Sequence, residues 1–234
     1  MQNHAVQKDI KGIYAKAVTT HSHSQKALDR IAFYPSGILL AHSPAKRFSR
    51  SENRRKQRET LILHHRKTVP TPLVQIHLPG KHGEMVQRIL KRLQVPVKIS
   101  SRSGNNPAQS PQQHCVMEID IRERLDLALI MIQRYGLDFE REFQNRLRQL
   151  CLREIAVINI YLDLKDPASP EVVMLLEKTG CFFAGFLPAH PRYFLILQYL
   201  NNVNVDYDKI AVYDTFAKKL LDYVRDEDPD ATPV

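Results

Sequence analysis

The stretch LEKTGCFFAGFL (Leu176–Leu187) decides how the chain is read, because LDRIAFYPSGIL (Leu28–Leu39) lies over it position by position. Placing Gly37 on Gly185 sets Leu28 on Leu176, Asp29 on Glu177 and Arg30 on Lys178 at one constant offset. Each stretch ends a helix-like pattern and opens an apolar strand. Working outward, Gly12–Thr20 alternates as a strand before the first helix, His21–Ile31. At the same offset Gly12–Val18 lies over Ile160–Asp166, which overlaps the end of the strong strand EIAVINIYLDL (Glu154–Leu164). The second helix then starts with Ser169 as N-cap and Pro170 as first helical residue, and stops at Gly180. Two strands follow each helix: Ile38–Ala41 and Thr60–His65 in the first copy, Cys181–Leu187 and Arg192–Leu200 in the second. The order strand–helix–strand–strand thus occurs twice, and internal duplication is the preferred reading. A half-unit on its own exposes a sheet edge, so residues 1–70 are expected to pair with the later sheet or with a partner chain.

Between the copies, Leu73–Leu78 reads as a strand, and Gly80–Leu93 as a helix with Val86, Ile89, Leu90 and Leu93 on one stripe. Pro96–Ile99 is a short strand, and the polar run Ser100–His114 is a loop. In the strand Cys115–Ile121, Glu118 and Asp120 face one way and Met117, Ile119 and Ile121 the other. Arg122–Tyr135 is read as a helix ended by Gly136, and Leu137–Leu152 as another, with Phe139, Phe143, Leu147 and Leu150 at helical spacing. Ile210–Tyr213 is read as a short strand, and Asp214 caps a last helix that turns Ala217, Leu220, Leu221 and Val224 inward. The resulting organisation is an incomplete copy over residues 1–70, a fuller unit over 71–227, and a disordered tail over 228–234.

Composition narrows the function classes. Hydrophobic residues make up 43% of the 234, enough for a packed core. The net charge of +9 is unevenly placed: residues 1–110 hold 20 Lys+Arg against five acids, and the remainder holds 14 against 20. That split points to docking between the halves, a protein partner, a homo-oligomer, or another macromolecule. The opening MQNHAVQKDIKG has no apolar run, and Leu127–Ile132, the longest one, is far short of the roughly 20 residues of a membrane helix. With three cysteines and no CxxC, a reduced cytoplasmic protein is expected, with no membrane association. No HxxxH or HExxH spacing occurs among the ten histidines, so no metal site is expected. Lys46, Arg47, Arg50, Arg54, Arg55, Lys56 and Arg58 form a basic run. Three readings of it stay open: a solvated loop, an acidic protein partner, or a nucleic-acid backbone.

The helix-to-strand turn EKTGCFFAGFL (Glu177–Leu187), followed by FLILQYL (Phe194–Leu200), resembles the carboxyl-terminal half of the GNAT N-acetyltransferase fold. The resemblance implies a mixed α/β, GNAT-like architecture: a mostly antiparallel central sheet flanked by helices, preceded by half of a second copy. It also implies a catalytic carboxylate on the fourth strand, for which Glu118 and Asp120 are the candidates, and Tyr193 or Tyr161 as an acid. Acetyl-CoA would be the cofactor, its pyrophosphate held by backbone N–H groups where a glycine-rich loop enters a helix. That loop is sought after Ile121, where Arg122, Glu123, Arg124 and Leu125 carry no glycine. Arg122, Arg124 and Ser169 are the cofactor-contact candidates. The Tyr that often protonates the CoA thiolate is replaced by Leu28 and Leu176. The layout, including HSHSQKAL (His21–Leu28) and LQYLNNVNVDYDKI (Leu197–Ile210), is also similar to the end of longer bacterial regulatory proteins, in which GNAT-like modules follow an ATPase domain of the anti-sigma-factor kind. The implied function is a degenerate, binding or regulatory module. An active N-acyltransferase with a split between strands four and five, and a nucleic-acid binder, are the alternatives.

Overall fold

In the computed structural model, which describes residues 10–45, 57–100 and 114–231, the two copies meet edge to edge in one sheet. The first copy is β1 (Gly12–Val18), α1 (His23–Arg30), β2 (Tyr34–Ser43) and β3 (Glu59–Lys67). The second is β8 (Val157–Asp163), α4 (Ser169–Lys178), β9 (Phe182–Ala189) and β10 (Arg192–Leu200). Between them lie β4 (Val74–His77), α2 (Gly80–Leu93), β5 (Val97–Ser100), β6 (Val116–Arg122), β7 (Leu127–Arg134) and α3 (Phe139–Leu152). Helix α5 (Thr215–Glu227) ends the order. The protein is mixed α/β. Its eight-stranded sheet runs β1-β3-β2-β9-β10-β8-β7-β6, antiparallel throughout except for β7 beside β8, and β4-β5 form a separate parallel pair.

The strand order is its own mirror image about the β2–β9 contact: β1-β3-β2 on one side, β8-β10-β9 on the other. Among the described residues, the first copy covers its β2 edge by pairing with β9, and β1 is an outer strand of the sheet. The local backbone repeats in the same detail. In the first copy, Phe33 N–H donates to Leu28 O (3.0 Å) and Ala32 N–H to Asp29 O (2.9 Å). In the second, Cys181 N–H donates to Leu176 O (3.2 Å) and Gly180 N–H to Glu177 O (3.0 Å). Ala32 (φ 58°) and Gly180 (φ 91°) both take the left-handed conformation that turns a helix end into a strand. Ser36 and Ala184 are the extra, unpaired residues of a bulge in each copy. All these pairs keep the offset that sets Gly37 on Gly185.

The buried apolar residues of α2, α3, α4 and α5 join one face of the sheet in a single core, with α2 and α5 packed across β2 and β9. On the other face Leu39, Leu63, Ala184 and Ile196 form a second, smaller cluster against Tyr161 and Leu187. The sheet curls toward this second face. Arg58, just before β3, donates to Ala41 O (2.8 Å), Leu125 O (2.7 Å) and the Asp126 carboxylate (3.0 Å), tying β2 to the β6–β7 turn from the far end of the strand order. Further ion pairs join the basic first half to the acidic second half: Lys81 to Glu177 and Glu227, and Arg92 to Asp214.

Three local expectations are corrected. Arg122–Tyr135 is a 3-10 turn (Glu123–Leu125) followed by β7, not a helix. Leu127–Ile132 is an unbroken apolar run, and such a run cannot be told from a buried helix by period alone. Ile210–Tyr213 forms no strand, because the buried amide of Gln25 takes its backbone groups, donating to Ala211 O (2.8 Å) and accepting from Tyr213 N–H (2.8 Å). Ser169 is the first residue of α4, with Ala168 at the N-cap. The Ser169 hydroxyl bonds back to Asp163 O and Asp166 O, while the Asp166 carboxylate accepts from Ala168 N–H. At the carboxyl end the packing continues past α5: Tyr207 donates to the carboxylate of buried Asp228 (2.6 Å).

Candidate functional site

Strand β7 lies parallel to β8 and runs into α3, so the strand-to-helix junction at residues 135–138 is where this sheet could offer backbone N–H groups to an anion. The turn after Ile121, where the sequence places that junction, is instead the connection between the antiparallel strands β6 and β7. The ladder between β7 and β8 is unbroken from Leu127↔Val157 to Ile132↔Leu162. Just beyond it Tyr135 reaches across, its hydroxyl donating to Asp163 O (3.5 Å) and its ring meeting Phe139 edge-on (5.7 Å between centroids). Burial pushes the Tyr135 phenol well above its ordinary range, so it stays protonated.

The glycine at this junction serves chain packing. A Cβ on Gly136 would stand 2.3 Å from Cys115 N and 2.4 Å from His114 C, so the chain entering β6 already occupies the space a ligand would use. Asp138, the N-cap of α3, accepts from Cys115 N–H (2.7 Å) and pairs with His114 (3.1 Å). These bonds, led by that from Cys115, hold its carboxyl below the usual range. With Glu140 and Glu142 in the first turn, three carboxylates stand at this helix end. They satisfy the helix dipole and oppose a phosphate there.

The residues singled out from the sequence do not converge. Glu118, Asp120 and Arg122 share the exposed face of the edge strand β6; Glu118 accepts from Gln133 (2.9 Å) and Asp120 from Arg122 (3.0 Å). Arg124 is exposed in the 3-10 turn, and Ser169 is buried against backbone carbonyls. Tyr193 is fully buried on the opposite, helix-covered face, where burial raises its pKa and the Thr71 hydroxyl opposes the shift. Tyr161 is on the same face as Glu118, its phenol pushed up to about 12 by burial. Lys46, Arg47, Arg50, Arg54, Arg55 and Lys56 lie outside the described residues. Arg58, the last of that run, is spent on the clamp to Asp126.

Sequence reasoning missed a buried polar network because its members come from three helices. His82 of α2, fully buried, shares a hydrogen bond with the Tyr223 hydroxyl at Nδ1 (2.7 Å) and donates from Nε2 to Glu177 (2.7 Å). Lys81 Nζ sits 3.0 Å from Glu177 and 2.7 Å from Glu227. Ligand atoms of His82, Glu177 and Glu227 come within 4.8 Å of one another. The Lys81 ammonium already supplies the positive charge there, and the set works as a joint between α2, α4 and α5. Among the described residues no helix is long and apolar enough to cross a membrane. Comparison with protein-family models, curated proteins and solved structures returns no match to this chain.

Proposed function

We propose that this chain is a GNAT-like module that acts by binding, in a regulatory role, and not by transferring an acyl group. The observation that carries the reading is the filled junction at residues 135–138: Tyr135 bridges to β8, His114–Cys115 pack on Gly136, and three carboxylates sit at the start of α3. A pantetheine arm needs an opening between two parallel strands and free N–H groups at the helix end. The GNAT-like part of the reading is supported by the parallel β7–β8 pair joined through α3, followed by α4, β9 and β10 in the order the resemblance implies. The mirrored first copy supplies a second such half, joined to the first through the β2–β9 contact.

Titration calorimetry with acetyl-CoA tests it. No saturable heat is expected from the chain as it stands. Saturable binding that disappears on Arg134→Ala, at the mouth of the junction, would overturn the proposal and favour the N-acyltransferase reading.

A further inference from the structure

We propose that the chain self-associates through its edge strand β6, which pairs antiparallel with β6 of a second copy across a two-fold axis. Strand β6 ends the strand order, with β7 on its inner side. Among the described residues no strand pairs with its outer side, so alternate residues turn backbone N–H and C=O groups away from the sheet. It carries no proline, and its ladder to β7 is regular from Met117 to Arg122. Beside it an open groove of about 410 Å³ runs between β6 and α3, lined by Ile119, Ile121, Leu150 and Leu152 and rimmed by Arg146 and Arg153. Leu152 is 74% exposed, the most of any large apolar side chain among the described residues.

The order of charges along β6 points to a second copy as the occupant. Residues directly opposite in an antiparallel pair lie on the same face, and a closed two-fold pair sets residue i against j and j against i. Centring the pair on Asp120 sets Glu118 opposite the partner's Arg122 and Ile119 opposite the partner's Ile121, each of them twice. Centring it on Ile119 would set Glu118 against the partner's Asp120 twice, and like charges directly opposite are destabilising. In the favoured register only Asp120 meets its own equivalent, and each Asp120 is already held by Arg122 of its own chain (3.0 Å). That bond uses Arg122 Nε and leaves the terminal guanidinium nitrogens for Glu118 across the axis. On the other face the isoleucines of the second copy cover the groove, and Leu152 closes over them. The rim is balanced: Arg153 lies 3.9 Å from Glu123, and Glu142 stands one turn before Arg146.

Sedimentation equilibrium of the full chain tests this. A dimer is expected at about 50 µM chain. Glu118→Arg and Arg122→Glu, both at exposed positions, are each expected to weaken it at least about ten-fold, because the charge pair occurs twice across the axis. The two reversals combined in one chain set opposite charges face to face again and should regain most of that loss. Leu152→Lys, also exposed, should weaken the dimer through the groove. A monomer at that concentration, an assembly larger than a dimer, or a dimer whose dissociation constant ignores the single reversals overturns the proposal. So does a double variant that pairs no more tightly than the single ones.

Discussion

Gly37 and Gly185 face each other across the β2–β9 contact as the single paired position that joins the two copies, and each is the other's equivalent in the repeat. A Cβ on Gly185 would lie 2.4 Å from Gly37 Cα and 2.8 Å from Ser36 O; one on Gly37 would lie 2.9 Å from Ala184 O. The strands can approach this closely only because neither residue has a side chain. Gly185→Ala is expected to destabilise by about 2–3 kcal/mol and Gly37→Ala by less, about 1–2 kcal/mol. Urea unfolding of both variants checks the order.

The repeat predicts opposite effects at equivalent turn positions. Ala32 holds a left-handed backbone with a side chain, whereas Gly180 holds it without one. Ala32→Gly is expected to be neutral to stabilising, by up to about 1 kcal/mol, because relief of left-handed strain exceeds the entropy a glycine adds to the unfolded chain. Gly180→Ala is expected to cost about 1 kcal/mol, with Tyr199 3.3 Å from the new methyl adding to it. Thermal unfolding distinguishes the two directions.

Beyond Gly37–Gly185 the strands no longer pair directly, and the Gln198 amide takes over. It accepts from Leu40 N–H (2.8 Å) and donates to Leu40 O (3.2 Å) and to Asn159 Oδ1 (2.8 Å), all buried. Gln198→Ala leaves two backbone groups unmet inside the protein and is expected to cost about 2–4 kcal/mol. Hydrogen exchange at Leu40 should accelerate in that variant while exchange within the β6–β7 pair stays as it is.

Acid should weaken the fold before carboxylates titrate. His42 and His65 are both buried and neutral, with burial as the leading cause of pKa values near 4 against an ordinary 6.5. Their contribution is fully present above pH 6.5. Below it the unfolded chain takes up protons that the folded chain refuses, so stability falls as pH drops toward 4. Each contributes about 3 kcal/mol over that window. Urea midpoints at pH 7.5 and 4.5 should differ accordingly, and His65→Gln should flatten the dependence.

The helix joint has its own pH signature. Although burial works in the opposite sense, the bonds from His82 and Lys81 hold the Glu177 carboxyl below its ordinary value. Its contribution is therefore present above the usual carboxylate range and lost as pH falls through the lower folded value. His82→Ala is expected to cost about 3 kcal/mol near neutrality, since it opens space beside Phe183 and removes one partner each from Tyr223 and Glu177, which keep only Lys81. Calorimetric unfolding at pH 7 and pH 3 should show that penalty shrinking with acid.

Local pattern alone determined a great deal of this protein. Helix α2 to its last residue, the strands on either side of the β2–β9 contact and the Asp214 cap are all written in short-range period and turn residues. So is the outward direction of Glu118 and Asp120 opposite Met117, Ile119 and Ile121. Tertiary structure decided what period cannot carry. Leu127–Ile132 became a strand because β6 and β8 pair with it on either side, and that change moved the strand-to-helix junction from Arg122 to Tyr135. Whether that junction is open or filled depended on Cys115 and Asp163, which come from distant parts of the chain. The Arg58 clamp and the His82 network likewise join residues that only the curled sheet and the packed helices bring together. Side-chain period reports which face of an element is buried; it holds no record of which other element buries it.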